Sequence, residues 1–186
     1  MNTLRCTATA LSGVIRIERQ LHADARGSFA RLFCAQELAQ AGWTMPLAQV
    51  NHSVTSGRGT VRGLHYQLPP CAEMKLVSCV RGRVWDVAVD LRRDSPTFLR
   101  WHAQELAPET GVSLLLPQGC AHGFQVLSDA AEIVYCHSAP YAPQAQRGVH
   151  PSDPRLAIAW PLPVQRLSPG DATWPMLARD FAGVDP

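Results

Sequence analysis

Residues 59–75 read GTVRGLHYQLPPCAEMK. The stretch sets Arg62, His65, Glu73 and Lys75 on one short run punctuated by glycine and proline. Polar side chains of four different kinds so close together describe a site rather than a core. A second histidine, His122, follows in LLLPQGCAHGFQVL (114–127), again beside a Pro-x-Gly turn. Each histidine is expected at the end of an apolar strand, so that strands line a reaction chamber.

Working outward, short apolar or alternating runs recur between turn signals: Leu76 to Val80, Val84 to Leu91, Val112 to Leu116, Phe124 to Leu127 and Glu132 to Tyr135. In the second run Val84, Asp86, Ala88 and Asp90 fall on one face, and Trp85, Val87, Val89 and Leu91 on the other. That period of two is a strand signal. With 15 prolines and 13 glycines as punctuation, the pattern predicts an all-β sandwich or barrel. Helix is expected only at residues 35–42, ended by Gly42, and in a short piece around 174–181. No internal repeat or low-complexity linker interrupts the chain, so residues 1–186 are expected to form a single domain.

Composition excludes several function classes. Of the 186 residues, 46% are hydrophobic and 17% charged, as in an ordinary globular protein. A formal net charge of +2 gives no reason to expect nucleic acid or an anionic membrane as partner. No apolar run approaches the ~20 residues of a membrane helix, and the first residues show no secretory signal pattern. The six cysteines, Cys6, Cys34, Cys71, Cys79, Cys120 and Cys136, include no C-x-x-C pair. They read as small hydrophobes of a reducing cytoplasm, not as a disulfide framework or a zinc site.

The spacing then specifies the sandwich. Gly59 is followed after five residues by His65, and Gly111 after five residues by Pro117-Gln118-Gly119, two residues, and His122. These resemble the two half-motifs of the cupin superfamily and imply a double-stranded jelly roll with a few short peripheral helices. Metal-binding cupins carry a second histidine where Gln67 stands and a further ligand where Val126 stands, and Glu73 comes late. The resemblance therefore implies the fold and argues against a metal.

A closer resemblance covers the chain from Asp24 to about Leu177. DARGSFARLF (24–33), QVNHSVTSGRGTVRGLHYQLPP (49–70), EMKLVSCVRGRVWDVAVDLRRDSPTF (73–98), LPQGCAHGFQVLSDAAE (116–132) and DPRLAIAWP (153–161) are similar to the dTDP-4-dehydrorhamnose 3,5-epimerase family of non-metal cupins. The resemblance implies an isomerase of deoxysugar biosynthesis that inverts carbon 3, carbon 5 or both in a nucleotide-linked 4-keto-6-deoxyhexose, without a cofactor. Such chemistry needs a base near neutral pKa, a cation at the enolate oxygen and an acid on the opposite face. His65 matches the family's base, and Asp171, in LSPGD, its carboxylate partner. Lys75 and Arg62 match the cations, and Tyr135 matches the acid. His122 matches a further polar group at the sugar, and Asp86 is a candidate partner behind the site. Arg26, Phe29, Gln49, Asn51 and Arg62 match nucleotide-binding positions. The resemblance also implies a homodimer in which the N-terminal strand, with Arg26 and Phe29, reaches the other subunit's site.

The chain departs from the family pattern at Arg31, Gln146, Pro151, Ser152 and Gly170. All five fall on the nucleotide side or the periphery. They imply retained proton chemistry with altered recognition: a 3-epimerase alone, a non-rhamnose sugar, or a nucleotide other than thymidine. The reading from a different class is a catalytically silent sugar-nucleotide-binding cupin, which would lack the base, the acid or the paired carboxylate.

Overall fold

The computed structural model describes residues 3–186. Two antiparallel sheets carry the architecture, and the all-β jelly-roll expectation holds. The six-stranded sheet is built from β1 (Leu4–Ala8), β2 (Ile15–Arg19), β5 (Gln49–Ser56), β7 (Lys75–Arg81), β10 (Val112–Leu116) and β12 (Ala130–His137), in the order β1-β2-β10-β7-β12-β5. The five-stranded sheet contains β6 (Val61–Gln67), β8 (Val84–Asp90), β9 (Trp101–Leu106), β11 (Cys120–Val126) and β13 (Gln146–Gly148), in the order β13-β6-β11-β8-β9. From β5 to β12 the chain passes repeatedly from one sheet to the other, the crossing pattern of a jelly roll. A small hairpin, β3 (His22–Asp24) with β4 (Gly27–Phe29), stands apart from both sheets.

Three apolar layers hold these sheets. Val84 and Ala88 of β8 point between the sheets, with Phe124, Val126, Val77, Leu114 and Ile133. Val87, Val89 and Leu91 point the other way, under Val149, Leu156, Trp160 and Phe181 of the C-terminal segment. The period of two in the β8 run is therefore a real division between two cores. A fully buried side chain such as Phe124, 1% exposed, contributes roughly 1.5–3 kcal/mol by leaving water. The third layer covers the outside of the six-stranded sheet, where Leu38 and Trp43 pack on Leu4, Ile17, Leu76 and Leu115.

The helices differ from expectation. α1 (Ala35–Ala39) stops short of Gly42 because the Ala41 and Trp43 amides both turn back onto the Leu38 carbonyl. No helix forms over 174–181. There Pro175 brings no N–H, and the Leu177 amide is taken by the Asp153 carboxylate. A helix forms just upstream instead, as α2 (Pro169–Ala172). Ser168 caps it by accepting the Asp171 amide, and Pro169 occupies its first turn.

Candidate active site

His65 and His122 lie in mid-strand rather than at strand ends. They are direct register partners on β6 and β11. The pairing shifts by one residue between His122 and Phe124, and there the strands approach so closely that only glycine fits. A Cβ on Gly63 would lie 2.6 Å from the Gly123 Cα, and Gly63 has φ +116°. Facing them, the six-stranded sheet aligns Lys75, His137 and Gln49 in one cross-strand row, and Val77, Tyr135 and Asn51 in the next. Between the walls is a cavity of about 390 Å³ lined by His65, His122, Lys75, Tyr135, Arg62, Gln49 and Asn51 among others. Eight of the ten site residues expected from sequence are thus brought together or paired at this one place.

Asp171 reaches His65 from the far end of the chain. The C-terminal segment runs beside the start of β6, where the Val61 amide donates to the Arg166 carbonyl, and α2 then sets Asp171 Oδ1 2.5 Å from His65 Nε2. Burial alone would raise the Asp171 carboxyl. The hydrogen bond and charge of His65, with the Gly63 N–H, reverse this and hold it below the usual carboxylate range. Trp174 stands edge-on to the imidazole, with ring centroids 6.0 Å apart. Its indole in turn occupies the space that a side chain at residue 148 would need.

Lys75 is almost fully buried. Its Nζ lies 2.9 Å from Glu73 Oε1 and donates to the His65 carbonyl at 3.3 Å. Arg62 crosses to the other sheet, donating to Thr55 Oγ1 and the Val54 carbonyl. Tyr135 shares a 3.2 Å hydrogen bond with Ser53. Burial pushes its phenol well above the ordinary range, so it keeps its proton. His122 pairs with Asp86, Nε2 to Oδ1 at 2.8 Å, which gives the Asp86 partner read from sequence a definite place.

Gln67 and Val126 have structural work. The Gln67 amide donates to the Cys71 and Pro140 carbonyls and accepts from the Ala142 amide. Val126 belongs to the inter-sheet core. Among the described residues no group of three or more His, Cys, Asp or Glu is placed to hold a metal ion.

The rim carries Gln146, whose Oε1 accepts from the Tyr141 hydroxyl at 2.6 Å. Tyr141 N donates to Gln49, and Gln49 donates to Asn51. Arg26 and Phe29 lie outside the cavity, on the β3–β4 hairpin. Arg26 pairs with Asp24, and Phe29 is 73% exposed. Of the departures, only Gln146 lines the cavity. Arg31 instead pairs with Glu37 near the N-terminal strand.

Sequence reasoning missed His137, Ser53 and Tyr141 as wall residues. His137 had a readable signal: it stands two residues from Tyr135 on one strand, and so on the same face.

What the sandwich encloses is a cavity equipped for proton transfer, which makes this a cupin-type acid–base protein. A family model described as dTDP-4-dehydrorhamnose 3,5-epimerase matches residues 8–179. A dTDP-4-dehydrorhamnose 3,5-epimerase of Shigella flexneri is 42% identical over 172 residues, covering 92% of this chain and 93% of that one. A dTDP-4-dehydrorhamnose 3-epimerase of Streptomyces niveus is also 42% identical, over 94% of this chain and 84% of that one. A solved 4-keto-6-deoxy sugar epimerase from the novobiocin gene cluster of Streptomyces spheroides superposes with a TM-score of 0.89 at 40% identity, covering 94% of this chain and 88% of that one. The chain belongs to the dTDP-4-dehydrorhamnose 3,5-epimerase family.

Proposed function

We propose that the protein inverts carbon 3, carbon 5 or both of a nucleotide-linked 4-keto-6-deoxyhexose. The observation that carries this reading is that an ion-paired imidazole and a protonated phenol stand on facing sheets and line one cavity. His65 takes the proton from the carbon next to the ketone. The freed electron pair moves onto the carbonyl oxygen as an enolate, while Asp171 stabilises the imidazolium. Lys75 and Arg62 hold the negative oxygen, in a pocket where fixed cations act strongly. Tyr135 then gives its proton to the opposite face of the carbon. The phenolate and imidazolium that remain return to their starting forms through water.

His122 and the rim pair Gln49 and Asn51 contact the sugar and its nucleotide in this reading. Arg26 and Phe29 serve the site of a second copy. The exposed Phe29 hairpin and the exposed Val50 and Val54 on the edge strand β5 support a homodimer. Six unpaired cysteines support a reducing, cytoplasmic setting.

The test is solvent exchange in deuterated water with a panel of nucleotide 4-keto-6-deoxy sugars, followed by NMR. Deuterium at both carbons supports double epimerisation and deuterium at one supports a 3-epimerase. No incorporation from any donor sinks the enzymatic reading. Tyr135→Phe is expected to slow inversion by about 10²-fold while deuterium still enters. Equal loss of both would remove Tyr135 from the acid role.

A further inference from the structure

His137 ends β12, with its backbone paired to Lys75 on one side and Gln49 on the other. It lines the cavity. Its ring centroid is 6.0 Å from that of Tyr135, with the planes tilted by 31°. Unlike His65 and His122, its imidazole has no hydrogen-bond partner among the described residues. A polar ring facing a cavity without a protein partner must take one from water or ligand.

We propose that His137 is a specificity-determining residue that hydrogen-bonds the sugar ring of the substrate. The inference rests on the sugar-nucleotide reading above. Lys75 at the enolate oxygen and Tyr135 at the neighbouring carbon place the sugar against His137, which is the direct register partner of Lys75 and stands two residues from Tyr135 on the same strand. The His137 ring is neutral because burial disfavours its charged form and the Lys75 cation beside it does the same. Neutrality suits a hydroxyl group. A neutral imidazole offers one donor and one acceptor, whereas lysine and arginine offer donors alone. It also leaves the positive charge of this wall with Lys75, where the enolate forms.

Binding tests this apart from turnover. The affinities of the wild type, His137→Leu and His137→Gln are measured by calorimetry for dTDP-rhamnose and for dTDP alone. His137→Leu is expected to weaken dTDP-rhamnose about tenfold and dTDP less than about twofold, since the lost bond goes to the sugar. His137→Gln, which keeps a donor and an acceptor, is expected to recover most of that loss. If His137→Leu weakens both ligands equally or neither, the proposal is overturned. A wild type that gains nothing from the sugar overturns it too. Failure of the epimerase reading appears elsewhere, as absent proton exchange in a wild type that still distinguishes the two ligands.

Discussion

Two histidine–aspartate pairs stand side by side on neighbouring strands, and they differ in what surrounds them. His65 pairs with Asp171 and His122 with Asp86, each through Nε2. The His65 side chain is 34% exposed and the His122 side chain 6%. Asp171 arrives on the C-terminal segment and accepts the Gly63 amide as well. Asp86 sits on β8 at 0% exposure, with Oδ2 unpartnered among the described residues. Similar chemistry thus supports two tasks. An open imidazole with a well-satisfied carboxylate can meet a substrate carbon and change charge. A closed one, almost fully buried against its carboxylate, braces the wall.

The largest effect should come from breaking the open pair. Asp171→Asn leaves the shape of the site but not the charge that stabilises the imidazolium. Exchange at the carbon next to the ketone is expected to fall about 10²–10⁴-fold. Asp86→Asn is expected to cost activity only about tenfold, but roughly 1–3 kcal/mol of stability, because it disturbs a buried hydrogen bond. Exchange rates and urea melts of both variants check the contrast. If Asp86→Asn abolishes exchange while Asp171→Asn spares it, the two pairs have been assigned the wrong way round.

Acid sharpens the comparison at a third imidazole. Burial, with Lys75 and His122 nearby, lowers the pKa of His137 to about 4. An unfolded histidine titrates near 6.5. Between those values the unfolded chain binds more protons than the folded one, so stability falls as pH drops from about 6.5 to about 4. Glu37, lowered to about 2 by hydrogen bonds from Leu4, Arg31 and Thr3 that outweigh its burial, loses its share only at lower pH. The groups around His137 stay fixed in His137→Leu: Lys75, Glu73, His65, His122 and Tyr135. That variant should therefore lose the part of the slope above about pH 4. Urea melts at about pH 7, 5.5 and 4.5 measure it, and an unchanged slope would mean the ring is already solvated.

The difference between centre and rim also explains what could be read in advance. Alternation in VWDVAVD reports two cores directly, because each face of β8 is buried against its own layer. Strand β10 appears with its expected bounds, Val112–Leu116, because a run between turns that is apolar at every position but Ser113 has only one place to go. The His65–His122 pairing was half legible: the residues stand out, but their meeting depends on a register shift at two glycines. Asp171 lies 106 residues from His65, and no local pattern announces that contact; resemblance alone supplied it. His137 was passed over because one histidine at the end of EIVYCH looks like strand filler. The tail helix failed because propensity over 174–181 lost to a carboxylate from a distant loop.

The smallest effect should come from Gly170, the departure nearest the open pair in sequence. A Cβ there would meet only Ser168 Oγ, at 3.8 Å. Residue 170 has an ordinary helical position beside an Asp171 whose oxygens already engage His65 and Gly63. A lysine in its place adds an exposed cation, which solvent screens. It removes no contact, and replacing glycine also narrows the unfolded ensemble slightly. Gly170→Lys is therefore expected to change stability by no more than about 0.5 kcal/mol and exchange by less than about twofold. A large change in exchange from this variant would show that the charge beside Asp171, and not only its geometry, sets the basicity of His65. The open pair would then be tuned from outside the cavity, which the closed pair, sealed on β8, does not allow.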